Sequence, residues 1–211
     1  MKVVCVVCAI LGLFVAAVAR AADVRVVGIA PSDDVSIPYR CTWGYDWDER
    51  CYRDDSARLP LGGAGDKTWR AALRFPLAAL PPGALVLTAE LSLYYDGVCT
   101  APLRRTQPCD GLAFSLEAHP VYTARWSTAR ELESGPAVAW AWLDAADAHQ
   151  WVTWDVTDTV GDWILGVPND GFLLQLPDDS ESFDVAGPAF PSSSFLDASV
   201  RPRLTVWYLL E

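Results

Sequence analysis

The sequence predicts an all-β protein, built as a small antiparallel sandwich with one short helix. Three observations support this fold class. Apolar and polar residues alternate in many short stretches, clusters of proline, glycine, asparagine and aspartate separate these stretches, and a single stretch has helical spacing. Many short strands joined by turns favour a sandwich or a barrel over an α/β fold.

The clearest strand signals lie at residues 87–93, 114–118 and 204–208, where every second residue is apolar. A period of two places one face of a strand in a core and the other face in water. Weaker strand candidates are residues 24–29, 69–75, 138–143, 151–156 and 172–176. Turn sequences such as Pro-Pro-Gly and Asn-Asp-Gly separate the strands.

One stretch predicts a helix of one or two turns. Val160, Trp163 and Ile164 stand at positions i, i+3 and i+4, and Thr157 or Asp158 precedes them as a candidate capping residue. By contrast, the region from 32 to 67 is expected to be a long polar loop, a feature that compact domains rarely carry without a use.

The first 21 residues have the pattern of a secretory signal peptide. Lys2 is followed by an uncharged stretch at 3–18, and then by the small residues that a signal peptidase reads. A membrane helix takes about 20 apolar residues, and Arg20 ends this stretch too early for one. We therefore expect a signal peptide at 1–21, a single domain at 22–211, a secreted, extracellular protein, and no membrane insertion after cleavage.

The charge balance argues against two classes of partner. The chain has 16 basic and 27 acidic residues, and loss of the signal peptide would take its net charge from −11 to −13. Nucleic-acid binding needs a basic surface to neutralise phosphates, and none is visible in the sequence. Binding to anionic lipid is disfavoured for the same reason.

Four cysteines follow the signal peptide, at Cys41, Cys51, Cys99 and Cys109. An even number in an exported chain predicts disulfides, and four cysteines allow three pairings. We favour Cys41–Cys51 with Cys99–Cys109, because each bond would close one polar loop. A zinc site is the alternative, but the two histidines are isolated and no Cys-x-x-Cys remains.

The strongest candidate for a binding surface lies inside the first of these loops. Trp43, Tyr45 and Trp47 alternate with Asp46 and Asp48, so an extended chain would place the three aromatics on one face. Sugar rings stack their C–H faces on aromatic rings, and their hydroxyls bond to carboxylates. The alternative is that these aromatics pack beneath a loop closed by a disulfide.

The other tryptophans are expected to be mainly structural, because large aromatic side chains are usually buried. Core positions are predicted for Trp126, Trp140, Trp142, Trp154 and Trp163. Trp207 would face away from the apolar residues of its own strand, so it is either exposed or covered by a neighbouring layer.

Paired acids are the remaining candidates for chemistry. Asp33-Asp34, Asp54-Asp55 and Asp178-Asp179 could bind calcium through hard oxygen ligands, although none has the spacing of a known calcium loop. We expect no cofactor and leave calcium open. Two such acids could also serve a glycosidase, but no nucleophile elbow and no phosphate loop is present, so we do not expect an enzyme.

Three motifs in order resemble a known family. The chain reads Leu-Arg-Phe-Pro-Leu at 73–77 and Ala-Glu-Leu-Ser-Leu-Tyr at 89–94, then Trp-Asp-Val-Thr at 154–157 with Asn-Asp-Gly at 169–171, and closes with Arg-Pro-Arg-Leu-Thr-Val-Trp-Tyr at 201–208. Together these resemble the DNRLRE-type domains, also called carbohydrate-binding module family 96. The resemblance implies a secreted, jelly-roll-like β-sandwich that binds polysaccharide, beside a polysaccharide-degrading enzyme or in the cell envelope.

The resulting hypothesis is a secreted, non-catalytic carbohydrate-binding module that recognises an extracellular or cell-wall polysaccharide. Some members of the family bind an acidic polymer, but the net negative charge of this chain disfavours such a ligand. The main alternative is a structural or adhesive cell-surface domain without sugar binding. A polysaccharide-degrading enzyme is the third and least favoured hypothesis.

Overall fold

The computed structural model describes residues 23–41, 57–63, 67–101, 105–124, 126, 132–178 and 186–210. These residues form fourteen β-strands and one α-helix. In chain order the elements are β1 (Arg25–Ile29), β2 (Asp33–Cys41), β3 (Arg58–Pro60), β4 (Gly62–Gly63), β5 (Lys67–Arg74), β6 (Leu85–Tyr95), β7 (Val98–Ala101), β8 (Arg105–Pro108), β9 (Phe114–Pro120), β10 (Ala139–Leu143), β11 (Gln150–Asp155), α1 (Thr157–Ile164), β12 (Phe172–Gln175), β13 (Gly187–Pro191) and β14 (Arg203–Leu209).

The described strands assemble into three antiparallel sheets. Sheet I has the order β1-β14-β6-β11, and sheet II has the order β10-β9-β12-β5-β2, with β4 also paired to β5. Sheet III has the order β3-β13-β7-β8. This arrangement confirms the predicted all-β sandwich with one short helix.

The main core lies between the inner faces of sheets I and II. Leu91 and Leu93 of β6 face this core, as do Leu116 of β9 and Phe172 and Leu174 of β12, and all five are buried. Burial of each such side chain contributes about 1.5–3 kcal/mol. The alternation read from the sequence therefore selects the correct inner face on β6, β9 and β14.

The region from 32 to 67 is not one long loop, because it contains β2, β3 and β4. Strand β2 pairs with β5 along its length. Its outward residues Val35 and Ile37 pack in a second, smaller cluster with Trp126 and Leu173 on the outer face of sheet II. Apolar residues alternate at 35, 37, 39 and 41, so a strand signal is present in the sequence. Pro38 interrupts that signal, and proline is tolerated here because β2 is an edge strand.

Helix α1 is confirmed, but its predicted cap is not. Val156 occupies the N-cap position and makes no side-chain capping bond, so neither Thr157 nor Asp158 caps the helix. The apolar side of α1 packs inward, where the Trp163 ring lies 4.7 Å from the Phe172 ring between centroids. No helix in the described part of the chain is long and apolar enough to cross a membrane.

The predicted Cys99–Cys109 disulfide is present and joins β7 to the segment after β8. Its Cα atoms are 5.1 Å apart and both cysteines are buried. A bond that closes a loop of this length contributes about 3 kcal/mol by limiting the unfolded chain. The other predicted pair, Cys41–Cys51, lies outside the described residues because it depends on Cys51.

The motif residues on β5 and after α1 meet at one point of the fold. The Asn169 side chain donates to the Phe75 carbonyl oxygen at 2.7 Å, and the Arg74 guanidinium lies 4.6 Å from the centre of the Trp126 ring. Gly171 has a φ of 95°, and a Cβ there would come within 2.8 Å of Trp126. Only glycine fits this contact, and Trp126 is confirmed as a core residue.

Candidate functional site

Two exposed tryptophans mark the edge of sheet II. Trp140 and Trp142 lie on β10, and they are exposed by 60% and 66%. The prediction that both belong to the core is therefore wrong. Single exposed apolar residues are common on protein surfaces, but two neighbouring exposed tryptophans form a contiguous apolar patch, and such patches often mark binding sites.

The inner face of β10 explains why these tryptophans face outward. That face carries Ala139, Ala141 and Leu143, which point toward the core. Ala141 pairs with Leu116 of β9, and the buried Trp154 of β11 donates its indole N–H to the Leu116 carbonyl oxygen at 3.3 Å. The apolar inner face of β10 therefore belongs to the main core, which leaves Trp140 and Trp142 on the outer face.

A groove of about 540 Å³ runs beside Trp140. We call it the edge groove, because it lies where β10 of sheet II packs beside β11 of sheet I. Residues 138–140 form one wall. The other wall comes from the segment that runs from Asp155 to Asp162 and includes Thr157 and Asp158. The groove thus combines an exposed aromatic ring with three carboxylates and hydroxyl groups.

Hydrogen bonds keep one of these carboxylates ionised. The Thr157 side chain donates to Asp155 Oδ1 at 2.6 Å, and the Thr157 backbone N–H donates to the same oxygen at 3.0 Å. The side-chain bond and then the backbone bond hold the pKa of Asp155 below its usual value. The Thr157 hydroxyl also accepts from the Ala89 backbone N–H, which ties the start of α1 to β6.

A carboxylate outside the groove lining, that of Glu117, accepts a hydrogen bond from the indole of Trp140. Trp140 and Glu117 are register partners on β10 and β9, and the indole N–H donates to Glu117 Oε1 at 3.3 Å. Glu117 Oε2 lies 3.1 Å from His119 Nε2, and His119 Nδ1 lies 2.9 Å from the Gly135 carbonyl oxygen. Both side chains are mostly buried, at 18% and 11% exposure for Glu117 and His119.

The other surface aromatics offer less open ring area. On the outer face of sheet I, the Arg203 guanidinium lies 3.9 Å from the centre of the Trp151 ring. Tyr94 packs edge-on against the same ring at 5.6 Å. Trp207 is half-buried on that face. The core predictions for Trp154 and Trp163 are confirmed, since both are buried.

The binding surface predicted from the sequence lies outside the described residues. This holds for Trp43, Tyr45, Asp46, Trp47 and Asp48 alike. The prediction therefore stays open, and the tryptophans of β10 form a second, separate candidate.

Two of the candidate calcium acids, Asp34 and Asp178, already have protein partners in the structure. The Asp34 carboxylate accepts bonds from the backbone N–H and hydroxyl of Ser193, and Asp178 pairs with Arg70 at 2.6 Å. The pair 54–55 and residue 179 lie outside the described residues. Within the described ranges, no group of three metal-ligating side chains is close enough to hold an ion.

Sequence reasoning missed Glu117 as a site residue, since it looked like one polar position in an alternating strand. Its role depends on the pairing of β9 with β10, which brings it opposite Trp140. The Ala-Trp-Ala-Trp pattern at 139–142 was a signal for the exposed tryptophans. The alanines make the opposite face of the strand apolar too, so that face could also be the buried one.

Neither a scan against protein-family models nor a search of curated proteins finds a match to this chain.

Proposed function

We propose that this protein is a non-catalytic carbohydrate-binding module that holds a polysaccharide along β10 and the edge groove. The observation that carries the proposal is the exposure of Trp140 and Trp142 on one face of an edge strand. Side chains two apart on a strand share a face and are about 7 Å apart. Two sugar units of one chain can therefore stack on the two rings, while their hydroxyls bond to groove carboxylates.

The charge of the groove favours a neutral or a basic polymer. Asp155, Asp158 and Asp162 line the groove with no basic side chain among the described lining residues. Because the pKa of Asp155 is lowered, this carboxylate stays charged at mildly acidic pH. An acidic polysaccharide would bring like charges together, which raises the cost of association.

The arrangement of the acids supports binding rather than hydrolysis. A glycosidase places two carboxyl groups on opposite sides of the scissile bond. The three groove aspartates all come from one short segment, residues 155–162, and form a single wall. They are placed to accept hydroxyl or ammonium hydrogens along one side of a sugar chain.

An extracellular location completes the proposal. Lys2 and the apolar stretch at 3–18 have the pattern of a signal peptide. The Cys99–Cys109 disulfide agrees with an oxidising compartment. The protein would then act outside the cell, attached to the envelope or beside a polysaccharide-degrading enzyme.

Affinity gel electrophoresis of the oxidised protein against neutral, basic and acidic polysaccharides tests the proposal. We expect retardation by a neutral or basic polymer, weakened about tenfold or more by replacing Trp140 and Trp142 with alanine. Trp207→Ala is the matched control, because it removes a tryptophan from the outer face of the opposite sheet. No retardation by any polymer contradicts the proposal.

A second set of variants separates the two candidate surfaces. Alanine at Trp43, Tyr45 and Trp47 removes the aromatics of the surface predicted from the sequence. If this triple variant loses retardation while the variant lacking Trp140 and Trp142 keeps it, the binding site is the loop and not β10.

A structural or adhesive role is the second candidate function, and one observation favours it. Sheet I carries four exposed apolar residues near one end: Val24 just before β1, Val26 on β1, and Leu85 and Leu87 at the start of β6. Strands β1 and β6 both pair with β14. Such a strip is a contact surface for another protein. This role gains weight if the folded protein binds none of the polysaccharides.

A further inference from the structure

We infer that Glu117 is a positioning residue that holds the Trp140 indole in the orientation that stacks on sugar. This inference rests on the proposed function. It names Glu117 as the residue that restrains the Trp140 ring, which is the main aromatic contact of the proposed site. Glu117 is mostly buried and lies beside Trp140 on the neighbouring strand, bonded to its indole, so we assign it a role through Trp140 and not on the sugar itself.

Three polar contacts in series connect the exposed indole to the backbone. The two contacts of His119 are to acceptor oxygens, so a neutral imidazole donates to one of them and an imidazolium donates to both. Trp140 Nε1 donates to Glu117 Oε1, Glu117 Oε2 bonds to His119 Nε2, and His119 Nδ1 bonds to the Gly135 carbonyl. Both oxygens of the carboxylate are thus used, one for the indole and one for the imidazole. The contact with His119 therefore restrains the same carboxylate that accepts the indole N–H through its other oxygen.

Strand β12 lies next to this relay on the other side of β9. His119 pairs with Leu173 of β12, and Glu117 pairs with Gln175, which is buried and uncharged. The polar contacts that the described structure gives the Glu117 carboxylate are those with His119 and Trp140.

Trp142 provides an internal comparison. It lies on the same face of the same strand and is equally exposed, but in the described structure its indole has no hydrogen-bond partner. Its register partner is Ser115, whose short side chain makes no bond to the ring. An exposed aromatic ring that is free to change rotamer loses that freedom on binding, whereas a ring that is already held does not.

Binding measurements on a double-mutant cycle test the inference. We expect Glu117→Ala to weaken polysaccharide binding about threefold to tenfold. Glu117→Gln keeps an oxygen acceptor for the indole and should bind within about twofold of the unmodified protein. In a Trp140→Phe background, which has no N–H to hold, Glu117→Ala should have no further effect.

An equal loss from Glu117→Ala in both backgrounds would show that Glu117 contacts the sugar directly, and it would overturn the inference. Circular dichroism of each variant checks that the fold is kept.

Indole N–H exchange in the ligand-free protein gives a test that needs no polysaccharide. In ¹⁵N-labelled protein, Trp140→Phe and Trp142→Phe identify the two signals, each by the loss of one. We expect the Trp140 indole proton to exchange about fivefold more slowly than that of Trp142, and Glu117→Ala to remove the difference. Equal exchange rates in the unmodified protein contradict the inference, even if binding is observed. Slow exchange without binding leaves the positioning role intact and removes only the proposed function.

Discussion

Strands β10 and β11 follow each other in the chain and each carries two tryptophans, yet the four side chains have different surroundings. On β10 both tryptophans face water, while on β11 Trp154 is fully buried and Trp151 is covered by Arg203 and Tyr94. The difference follows from spacing. Trp140 and Trp142 are two apart and share a face, whereas Trp151 and Trp154 are three apart and lie on opposite faces.

The comparison teaches that the two strands supply complementary parts of one core. Trp154 reaches from sheet I to the carbonyl of Leu116 in sheet II, and Leu116 is the register partner of Ala141 on β10. Trp154, Ala139, Ala141 and Leu143 all belong to the same core. Since β10 turns this apolar face to the core, its two tryptophan rings are left for the surface.

The largest expected effect comes from removing the buried ring. Trp154→Ala should destabilise the protein by about 3–5 kcal/mol, because it leaves a cavity and removes the buried bond to the Leu116 carbonyl. Trp140→Ala should change stability by less than about 0.5 kcal/mol, because that ring is exposed. Urea unfolding of both variants measures the contrast, and similar losses in the two would contradict the assignment of core and surface.

A smaller effect is expected from enlarging the inner face of β10. Ala141→Leu should cost about 1–3 kcal/mol, because Ala141 packs against the core opposite Leu116 and the added carbons must displace its neighbours. Val138→Leu, just before β10 and exposed, is the matched control and should be nearly neutral. Thermal unfolding of the two variants compares them. If Ala141→Leu is stabilising, then the core beside β10 is not filled and our explanation for the outward tryptophans is wrong.

The smallest expected effect lies at the end of β11, where Asp155 holds the first turn of α1. Its folded-state pKa is lowered by bonds from Thr157, so its contribution to stability is present above the unfolded pKa and is lost as the pH falls through the folded value. We expect Asp155→Ala to cost about 1 kcal/mol at neutral pH, and much less once the pH is well below about 4.

Asp158→Ala is the control for this prediction, because Asp158 also lies in the groove and makes no capping bond. Denaturant unfolding at a series of pH values measures both variants. A cost of Asp155→Ala that does not change with pH would show that the carboxylate bonds do not stabilise the start of the helix.

Several features of the fold could be predicted from the sequence because they depend on local patterns. The stretch at 87–93 has alternating apolar residues and became the centre of β6, and the i, i+3, i+4 spacing around Trp163 became α1. Strands β2 and β3 were missed, because Pro38 interrupts the alternation of β2 and because β3 has only three residues. The Cys99–Cys109 bond was predictable from the short polar loop between its cysteines.

The sequence by itself determined the all-β class, the positions of most strands of sheets I and II, and the short helix, since alternation and turn residues act over a few residues of chain. Only the tertiary structure decided which face of β10 is buried. Both faces of the Ala-Trp-Ala-Trp segment are apolar, so alternation alone allows either one inside. The packing of sheet I against sheet II buries the face that carries the alanines, together with Trp154 of β11, and leaves Trp140 and Trp142 in water.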